Sequence, residues 1–151
     1  MIRVRVPATS ANMGPGFDSL GIAFNLYNEF EFSEEGTTNK FYGFKKEFSN
    51  EENIVYKAMI TCFEKCNYNP KGLKISLLKE DIPISRGLGS SSTCIVAGLL
   101  GANNIMGNPL SIDELFKIGV EIEGHPDNVA PCIFGGTTLS YKQDDEFKYY
   151  K

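Results

Sequence analysis

A glycine- and serine-rich run holds the residues whose types and spacing point most directly to chemistry. It reads Pro83-Ile84-Ser85-Arg86-Gly87-Leu88-Gly89-Ser90-Ser91-Ser92-Thr93, and we call it the glycine–serine run. Glycine lets a backbone approach an anion closely because no Cβ intervenes. The free N–H groups at the start of a following helix attract phosphate, and serine hydroxyls can bind phosphate oxygens or a Mg²⁺ ion. The run therefore predicts a cradle for the phosphates of a nucleoside triphosphate.

Two common phosphate-binding motifs do not fit this run. The P-loop requires a lysine after its last glycine, but the residue after Gly89 is Ser90. The dinucleotide fingerprint requires a third glycine and an acidic residue about 20 positions further on. Ser92 stands where that glycine would be, and no convincing acidic partner follows. Taken alone, the run is also compatible with a flexible loop whose serines cap a helix.

Two further runs carry polar side chains in glycine- and proline-rich surroundings. The N-terminal run is Val4-Arg5-Val6-Pro7-Ala8-Thr9-Ser10-Ala11-Asn12-Met13-Gly14-Pro15-Gly16-Phe17-Asp18-Ser19-Leu20-Gly21. The His-Pro-Asp-Asn run is Glu123-Gly124-His125-Pro126-Asp127-Asn128-Val129-Ala130-Pro131, and Phe134-Gly135-Gly136 follows it. Considered separately, Asn12 and Asp18 are typical turn residues, and a single histidine is usually structural.

Together the three runs resemble, in the same order, those of the homoserine kinases, a branch of the GHMP kinases. The second GHMP motif has the form Pro-x-x-x-Gly-Leu-Gly-Ser-Ser, which the glycine–serine run matches. The resemblance extends over almost the whole chain, from about Val4 to Gly136. It implies the α+β fold of ribosomal protein S5 domain 2, and ATP-dependent, Mg²⁺-assisted phosphorylation of the L-homoserine hydroxyl to O-phospho-L-homoserine in threonine biosynthesis.

The resemblance also implies which residues bind ATP and the metal. The expected ATP contacts are Pro83, Arg86, Gly87, Leu88, Gly89, Ser90, Ser91 and Ser92. Asn53 is a candidate for the adenine site, although its other interpretation is a plain helix-start residue. For Mg²⁺ we expect a serine, Ser91 before Ser90, and a glutamate, Glu123 before Glu121.

For the amino acid substrate, the resemblance implies that Asp18 pairs with the ammonium group, Asn12 orients the hydroxyl end and His125 lies beside the substrate. Several GHMP relatives place a catalytic aspartate at the position that Asn128 occupies here, and an amide cannot accept the proton. Two alternatives stay open. Either Asp127 takes over as base, or the hydroxyl loses its proton to the γ-phosphate, as a loose transition state allows.

Composition limits the function classes. The chain has 151 residues, of which 42% are hydrophobic and 23% charged, so it can form one domain with a real core. A net charge of −4 argues against a general nucleic-acid or anionic-membrane surface. The four cysteines lack metal-site spacing, and buried free thiols are expected. Without an apolar run of transmembrane length or a signal-peptide pattern, we expect a cytoplasmic protein.

The hydrophobic pattern predicts the elements that position these runs. We expect strands over residues 2–8, 22–33, 40–44, 73–78 and 137–141. Residues 51–66 should form a helix opened by a capping box at Ser49–Glu52. A second helix should follow Gly89 and end near Met106-Gly107. A third helix should open with a capping box at Ser111 and Glu114 and end near Ile122. Residues 125–131 are expected to be a loop, and residues 142–151 a loose tail.

The enzymes that this sequence resembles are two-domain chains roughly twice as long as this one. We therefore expect residues 1–151 to be the N-terminal, ATP-binding domain of such an enzyme, without its C-terminal domain and third glycine motif, and nearly inactive alone. The alternatives are a non-catalytic nucleotide-binding domain or a sister GHMP kinase acting on another small alcohol, such as mevalonate. The sequence leaves the oligomeric state open, including a homodimer.

Overall fold

A six-stranded sheet forms one layer of the fold, and helices cover one of its faces. The structure is a computed structural model and describes residues 1–151. The strands are β1 (Ile2–Ala11), β2 (Leu20–Glu34), β3 (Lys40–Tyr42), β4 (Leu73–Glu80), β5 (Thr137–Gln143) and β6 (Glu146–Tyr150). The helices are α1 (Ile54–Lys65), α2 (Ser90–Ile105), α3 (Ile112–Glu123) and α4 (Val129–Phe134).

Strand β2 organises the sheet. It pairs antiparallel with β1, with β4 along its C-terminal half, and with β5 along its N-terminal end. β3 runs parallel to β4 and β6 antiparallel to β5, so the main path is β3-β4-β2-β5-β6. The mixed α+β architecture expected from the sequence is confirmed.

The predicted alternation along β1 and β2 is confirmed. Phe30 and Phe32 are buried against the helices, and Phe30 lies opposite Val4 in the pairing register. On the other face, Arg3 pairs with Glu31 at 3.2 Å. One face of the sheet therefore supplies the apolar core and the other carries ion pairs in solvent.

Helix α1 begins later than predicted, and the capping box predicted at Ser49–Glu52 is wrong. The Ser49 hydroxyl donates back to the carbonyls of Phe44 and Lys45 and so does not cap a helix. Asn53 is the N-cap instead, because its side-chain oxygen accepts from the N–H of Val55 at 2.9 Å. The shift places Asn53, rather than Ser49, at the helix start.

The other two predicted helix signals are confirmed. Ser111 and Glu114 form a reciprocal capping box at the start of α3. Gly107 follows the end of α2 with φ +83°, as a C′ glycine does. Helix α2 begins directly after Gly89, as predicted, so Ser90, Ser91 and Ser92 form its first turn.

Two predictions about the C-terminal third are wrong. Residues 129–131 are not loop but the first turn of α4, where Pro131 is tolerated because N–H groups there lack intrahelical partners. Residues 142–151 are not loose but form a hairpin of β5 with β6. Asp144 and Asp145 make its turn, with φ of 52° and 61°, and Tyr149 stacks on Phe134 at 3.6 Å between ring centroids.

All four cysteines are free thiols, as expected, but only two of them are buried. Cys62 and Cys132 are buried, whereas Cys66 and Cys94 are half-buried. None of the helices is both long enough and apolar enough to cross a lipid bilayer.

Candidate functional site

The glycine–serine run turns sharply into helix α2. Gly87 and Gly89 have φ of +71° and +65°, in the left-handed region, and Gly89 is the N-cap of the helix. The backbone N–H groups of Ser90–Ser92 in the first turn have no partner within the helix. Because α2 is 16 residues long, its positive dipole end reinforces these donors. This end of the helix can therefore bind an anion.

Gly89 is also the point where the three runs meet. A Cβ at Gly89 would lie 2.0 Å from Thr9 Oγ1 and 3.2 Å from Asn128 Oδ1. Thr9 itself donates to Asn128 Oδ1 at 2.8 Å, and its backbone N–H donates to the carbonyl of Leu88 at 3.1 Å. The close packing leaves no room for a side chain, so only glycine fits both the backbone angle and the space.

The structure places the two candidate glutamates differently. Ser91 Oγ donates to Glu123 Oε2 at 3.1 Å, and Ser92 Oγ donates to Glu123 Oε1 at 3.0 Å. Glu121 points elsewhere and pairs with Lys65 at 2.6 Å. Only Glu123 therefore joins the hydroxyls at the start of α2.

This cluster fits a hard divalent cation. It offers one carboxylate and serine hydroxyls, and Mg²⁺ prefers oxygen ligands, often one or two carboxylates together with phosphate oxygens and water. Nowhere in the chain do three or more histidine, cysteine, aspartate or glutamate side chains converge on a metal position. A cation at Glu123 would therefore take its remaining ligands from hydroxyls, phosphate and water.

The loop between β1 and β2 carries Asn12 and Asp18, and the structure brings them together. Both residues have positive φ, of 57° and 53°, and Asn12 Oδ1 accepts from the backbone N–H of Asp18 at 2.8 Å. Both side chains are exposed. The Asn12 oxygen is thus used to shape the loop, while the Asp18 carboxylate has no hydrogen-bond partner in the chain and can accept from a ligand.

His125, Asp127 and Asn128 lie in the segment between α3 and α4. His125 is 55% exposed at its side chain, whereas that of Asp127 is only 2% exposed, with 3.6 Å between Nδ1 and Oδ1. Asp127 Oδ1 also accepts from the backbone N–H of Asn128 at 3.0 Å. The carboxylate of Asp127 thus stabilises its own loop and is buried, whereas the His125 side chain is exposed.

Burial raises the pKa of Asp127 above that of an ordinary carboxyl. Nearby His125 and the hydrogen bond from Asn128 pull this pKa down, while the charge of Asp18 pushes it up. The start of β2, just after the β1–β2 loop, packs against the His-Pro-Asp-Asn run, because a Cβ at Gly21 would lie 1.8 Å from the carbonyl oxygen of Asp127.

Next to the start of α2 is a cavity of about 390 Å³. Its walls are largely apolar, and the glycine–serine run forms one side from Ile84 to Ser91. Asn53 also lines the cavity, but its amide is already engaged: the nitrogen donates to the carbonyl of Phe48 at 2.7 Å and the oxygen caps α1. Pro83 does not line it. A cavity of this size suits a small organic ligand.

Sequence reasoning missed most of the cavity wall. The apolar side chains that line it are Phe30, Phe44, Phe48, Ile54, Leu77, Ile84 and Leu88. The only sequence signal was the presence of Phe44 and Phe48 in an otherwise charged stretch. The spacing of these two residues matches no known binding motif, so it did not indicate a cavity. The site as a whole can hold a flat apolar group in the cavity and phosphates at the start of α2.

Comparison with known proteins agrees with this geometry. The family model described as "GHMP kinases N terminal domain" matches residues 53–136, which is more than half of the chain. A homoserine kinase from Clostridium botulinum (strain Alaska E43 / Type E3) is 62% identical over the whole chain, which covers 51% of that protein. The chain thus spans about half the length of the curated relatives it matches.

Solved structures of GHMP-type kinases have the same fold. The crystal structure of homoserine kinase from Cytophaga hutchinsonii superposes with a TM-score of 0.80 at 30% identity, over 99% of this chain and 51% of that one. Mevalonate kinase from Methanococcus jannaschii superposes with a TM-score of 0.74 at 18% identity, over 99% of this chain and 56% of that one, and so shares the fold. This chain belongs to the GHMP kinase family and contains the family's N-terminal domain.

Proposed function

We propose that this chain provides the ATP site and much of the homoserine site of a homoserine kinase. The reaction is ATP + L-homoserine → ADP + O-phospho-L-homoserine, a cytoplasmic step of threonine biosynthesis. The observation that carries the proposal is the contact of Gly89 with Thr9 and Asn128. It unites the start of α2, strand β1 of the N-terminal run and the His-Pro-Asp-Asn run in one place.

ATP would bind with its base in the apolar cavity and its phosphates at the start of α2. The cavity runs along the glycine–serine run, so a single ligand can reach both. Gly87 and Gly89 open the backbone to the phosphates, and the N–H groups of Ser90–Ser92 point toward them. Arg86 is exposed and lines the cavity, where its charge favours a polyphosphate.

Ser91 and Glu123 would hold Mg²⁺, with Ser92 supporting the glutamate from behind. Ser91 lines the cavity and touches Glu123, whereas Ser92 is completely buried. Held there, the ion would supply positive charge against the phosphate oxygens. Glu121 takes no part because Lys65 engages it on the outer side of α3.

Homoserine would lie over the β1–β2 loop. The Asp18 carboxylate is exposed and unpaired, so it can bind the substrate ammonium by a charge-assisted hydrogen bond. His125 is the exposed polar side chain beside the buried Asp127 and would border the substrate. Asn12 shapes the loop through Asp18 and can orient the hydroxyl end with its amide nitrogen.

In the transfer step, the homoserine hydroxyl oxygen forms a bond to the γ-phosphorus while the bond from that phosphorus to the β–γ bridging oxygen breaks. ADP leaves with the bridging oxygen. Asn128 cannot accept the hydroxyl proton, and Asp127 is buried with an oxygen engaged by the N–H of Asn128. The proton therefore passes to an oxygen of the transferred phosphoryl group, which a loose transition state permits.

Homoserine is favoured over other alcohols by sequence likeness and not by fold. The chain is 62% identical to a homoserine kinase across its full length, whereas a mevalonate kinase with the same fold is 18% identical. The resemblance of residues 123–131 to the homoserine kinase loop supports the same choice.

The test is a chimera in which this chain is followed by the remaining half of the Clostridium botulinum homoserine kinase. A coupled ADP-release assay compares L-homoserine with mevalonate. We expect ADP release that depends on L-homoserine and Mg²⁺, with at most background release with mevalonate. Release that favours mevalonate would assign a sister kinase, and ATP binding without turnover of either alcohol would favour a non-catalytic nucleotide-binding domain.

A further inference from the structure

One amide in the cavity wall has a hydrogen-bond donor that no protein group uses. Asn28 lies on β2 and lines the cavity, yet the residue is only 3% exposed. Its Oδ1 accepts from the backbone N–H of Ile82 at 2.9 Å. Its Nδ2 donates to no protein atom. This nitrogen is still partly accessible, because the only fully enclosed side-chain polar atoms without a hydrogen-bond partner are Thr138 Oγ1 and Ser140 Oγ.

The orientation of this amide is fixed by its neighbour. The Ile82 N–H can only donate, so the Asn28 oxygen must face it and the NH₂ group must point the other way. Ile82 begins the segment that leads into the glycine–serine run. Asn28 therefore ties that segment to β2 with its oxygen and leaves its nitrogen for the cavity.

The other polar side chains of the cavity differ from Asn28. Asn53 uses both ends of its amide within the chain, and Ser91 is bound to Glu123. Glu80, Ser85 and Arg86 are exposed and form the rim, and Ser90 is only half-buried, at the start of α2. Asn28 is thus a buried donor in an apolar wall built from Phe30, Phe44, Phe48 and Leu77. A buried donor without a partner is costly, and a ligand that supplies an acceptor removes that cost.

We propose that Asn28 Nδ2 donates a hydrogen bond to an unprotonated ring nitrogen of a purine base in this cavity and is a specificity-determining residue for the nucleotide. The inference rests on the proposed function, which places the base in the cavity. A purine presents flat faces to the phenylalanines, while its edge carries ring nitrogens that accept hydrogen bonds. The phosphates are held at the start of α2, so they are not the acceptor.

The first experiment measures nucleotide binding to the unaltered protein by calorimetry. ATP is compared with 1-deaza-, 3-deaza- and 7-deaza-ATP, each of which replaces one ring nitrogen by C–H. We expect one analogue to bind about tenfold more weakly than ATP and the other two to bind within about twofold of it. If ATP binds and all three analogues match it, this inference is wrong and the proposed function stands. If ATP itself does not bind, the proposed function fails first.

The second experiment uses Asn28→Asp, which keeps the acceptor for Ile82 N–H and removes the donor. ATP should bind at least about tenfold more weakly, and the difference between ATP and the weak analogue should disappear. Asn25→Asp adds the same charge at an exposed position of β2 outside the cavity wall and should retain the full difference. An unchanged difference in Asn28→Asp would overturn the assignment.

A measurement on the unaltered protein covers the case in which Asn28→Asp does not fold. The side-chain amide of Asn28 is followed by ¹H–¹⁵N NMR. Its proton resonance should move downfield when ATP binds and should stay near its unliganded position when the weak analogue binds. Equal movement with both ligands would show that the ring nitrogen accepts from another group.

Discussion

The Thr9 hydroxyl donates a hydrogen bond of 2.8 Å to the side-chain oxygen of Asn128, across 119 residues of sequence. Thr9 is completely buried and lies on β1, while Asn128 directly precedes α4. The bond fixes the orientation of the Asn128 amide. Both residues also pack against Gly89, so the bond links the His-Pro-Asp-Asn run to the turn that precedes α2.

Removing the Thr9 hydroxyl should destabilise the protein. In Thr9→Val the Asn128 oxygen loses its donor while the shape of the side chain is kept, so the free energy of unfolding should fall by about 1 kcal/mol. Thr9→Ser keeps the hydroxyl and should lose less. Urea denaturation of both variants measures the difference, and equal stability of Thr9→Val and the unaltered protein would contradict the role of this bond.

Gly89 and Gly87 form a matched pair for testing the turn. Both have positive φ, but a Cβ at Gly89 meets Thr9 while one at Gly87 meets nothing within 4 Å. Gly87→Ala should cost about 1 kcal/mol of stability from backbone strain alone, and Gly89→Ala should cost clearly more. Gly89→Ala should also raise the ATP dissociation constant at least about tenfold, or 1.4 kcal/mol. Thermal unfolding and calorimetry measure both quantities, and equal destabilisation by the two alanines would contradict the packing argument.

Asp18 should govern homoserine affinity without affecting ATP. In the chimera described above, Asp18→Asn removes a charge-assisted contact to the ammonium, so the KM for homoserine should rise at least about tenfold. The ATP dissociation constant should stay within about twofold. Asp145→Asn changes the same charge in the exposed β5–β6 turn and should alter neither. A parallel loss of both affinities in Asp18→Asn would remove Asp18 from the substrate site.

Cys94 should report whether a nucleotide fills the cavity. This half-buried thiol lines the cavity, and burial raises its pKa to about 11. Its alkylation by iodoacetamide should therefore be slow near neutral pH, faster at higher pH and blocked by saturating ATP. Cys66 is half-buried at the end of α1, outside the cavity wall, so its alkylation should not depend on ATP. Peptide mass spectrometry gives both rates, and alkylation of Cys94 at the same rate with ATP would place the nucleotide elsewhere.

Asp127 should make stability depend on pH with a defined sign. Burial raises its pKa above the ordinary value of 3.8, so the folded protein holds the proton more tightly than the unfolded chain. The contribution of this proton to the free energy of unfolding is fully present below pH 3.8. It is lost as the pH rises through the pKa that Asp127 has in the folded protein.

Replacing Asp127 by Asn keeps an oxygen for the N–H of Asn128 and removes the buried charge. The gain in stability of Asp127→Asn over the unaltered protein should therefore be larger at pH 7 than at pH 4, as measured by urea denaturation. Asp144→Asn, in the exposed hairpin turn, corrects for the change in net charge. A gain that is larger at pH 4 would show that the carboxylate is stabilised by its neighbours.

Local sequence determined those parts of the molecule that depend on nearby residues. The alternation of Val4 and Val6 with arginines predicted a half-buried strand, because side chains along a strand point alternately to its two faces. Ser111 and Glu114 predicted the start of α3, since a capping box is complete within four residues. The glycines of residues 87–89 predicted a turn that leads into a helix, and the structure has that turn; anion binding by it stays a prediction.

Other local patterns gave the wrong answer because a competing contact decided the outcome. Ser49 fits a capping box, but its hydroxyl bonds to the preceding turn and Asn53 caps the helix instead. Residues 142–151 show no apolar periodicity, yet they include β6. This strand forms because Asp144 and Asp145 adopt a tight turn and the ring of Tyr149 stacks on that of Phe134. Such stabilisation comes from distant residues and leaves no periodic signal.

The site itself depends on contacts that only the tertiary structure supplies. The sequence favoured Glu123 over Glu121 but could not show that Lys65 on α1 pairs with Glu121 while two serines on α2 donate to Glu123. The apolar cavity draws its wall from strands, helices and loops far apart in sequence, so no spacing rule reveals it. Sequence determined which residues could do the chemistry, and packing decided which of them face one another, because burial and hydrogen bonding between distant segments are set only when the chain has folded.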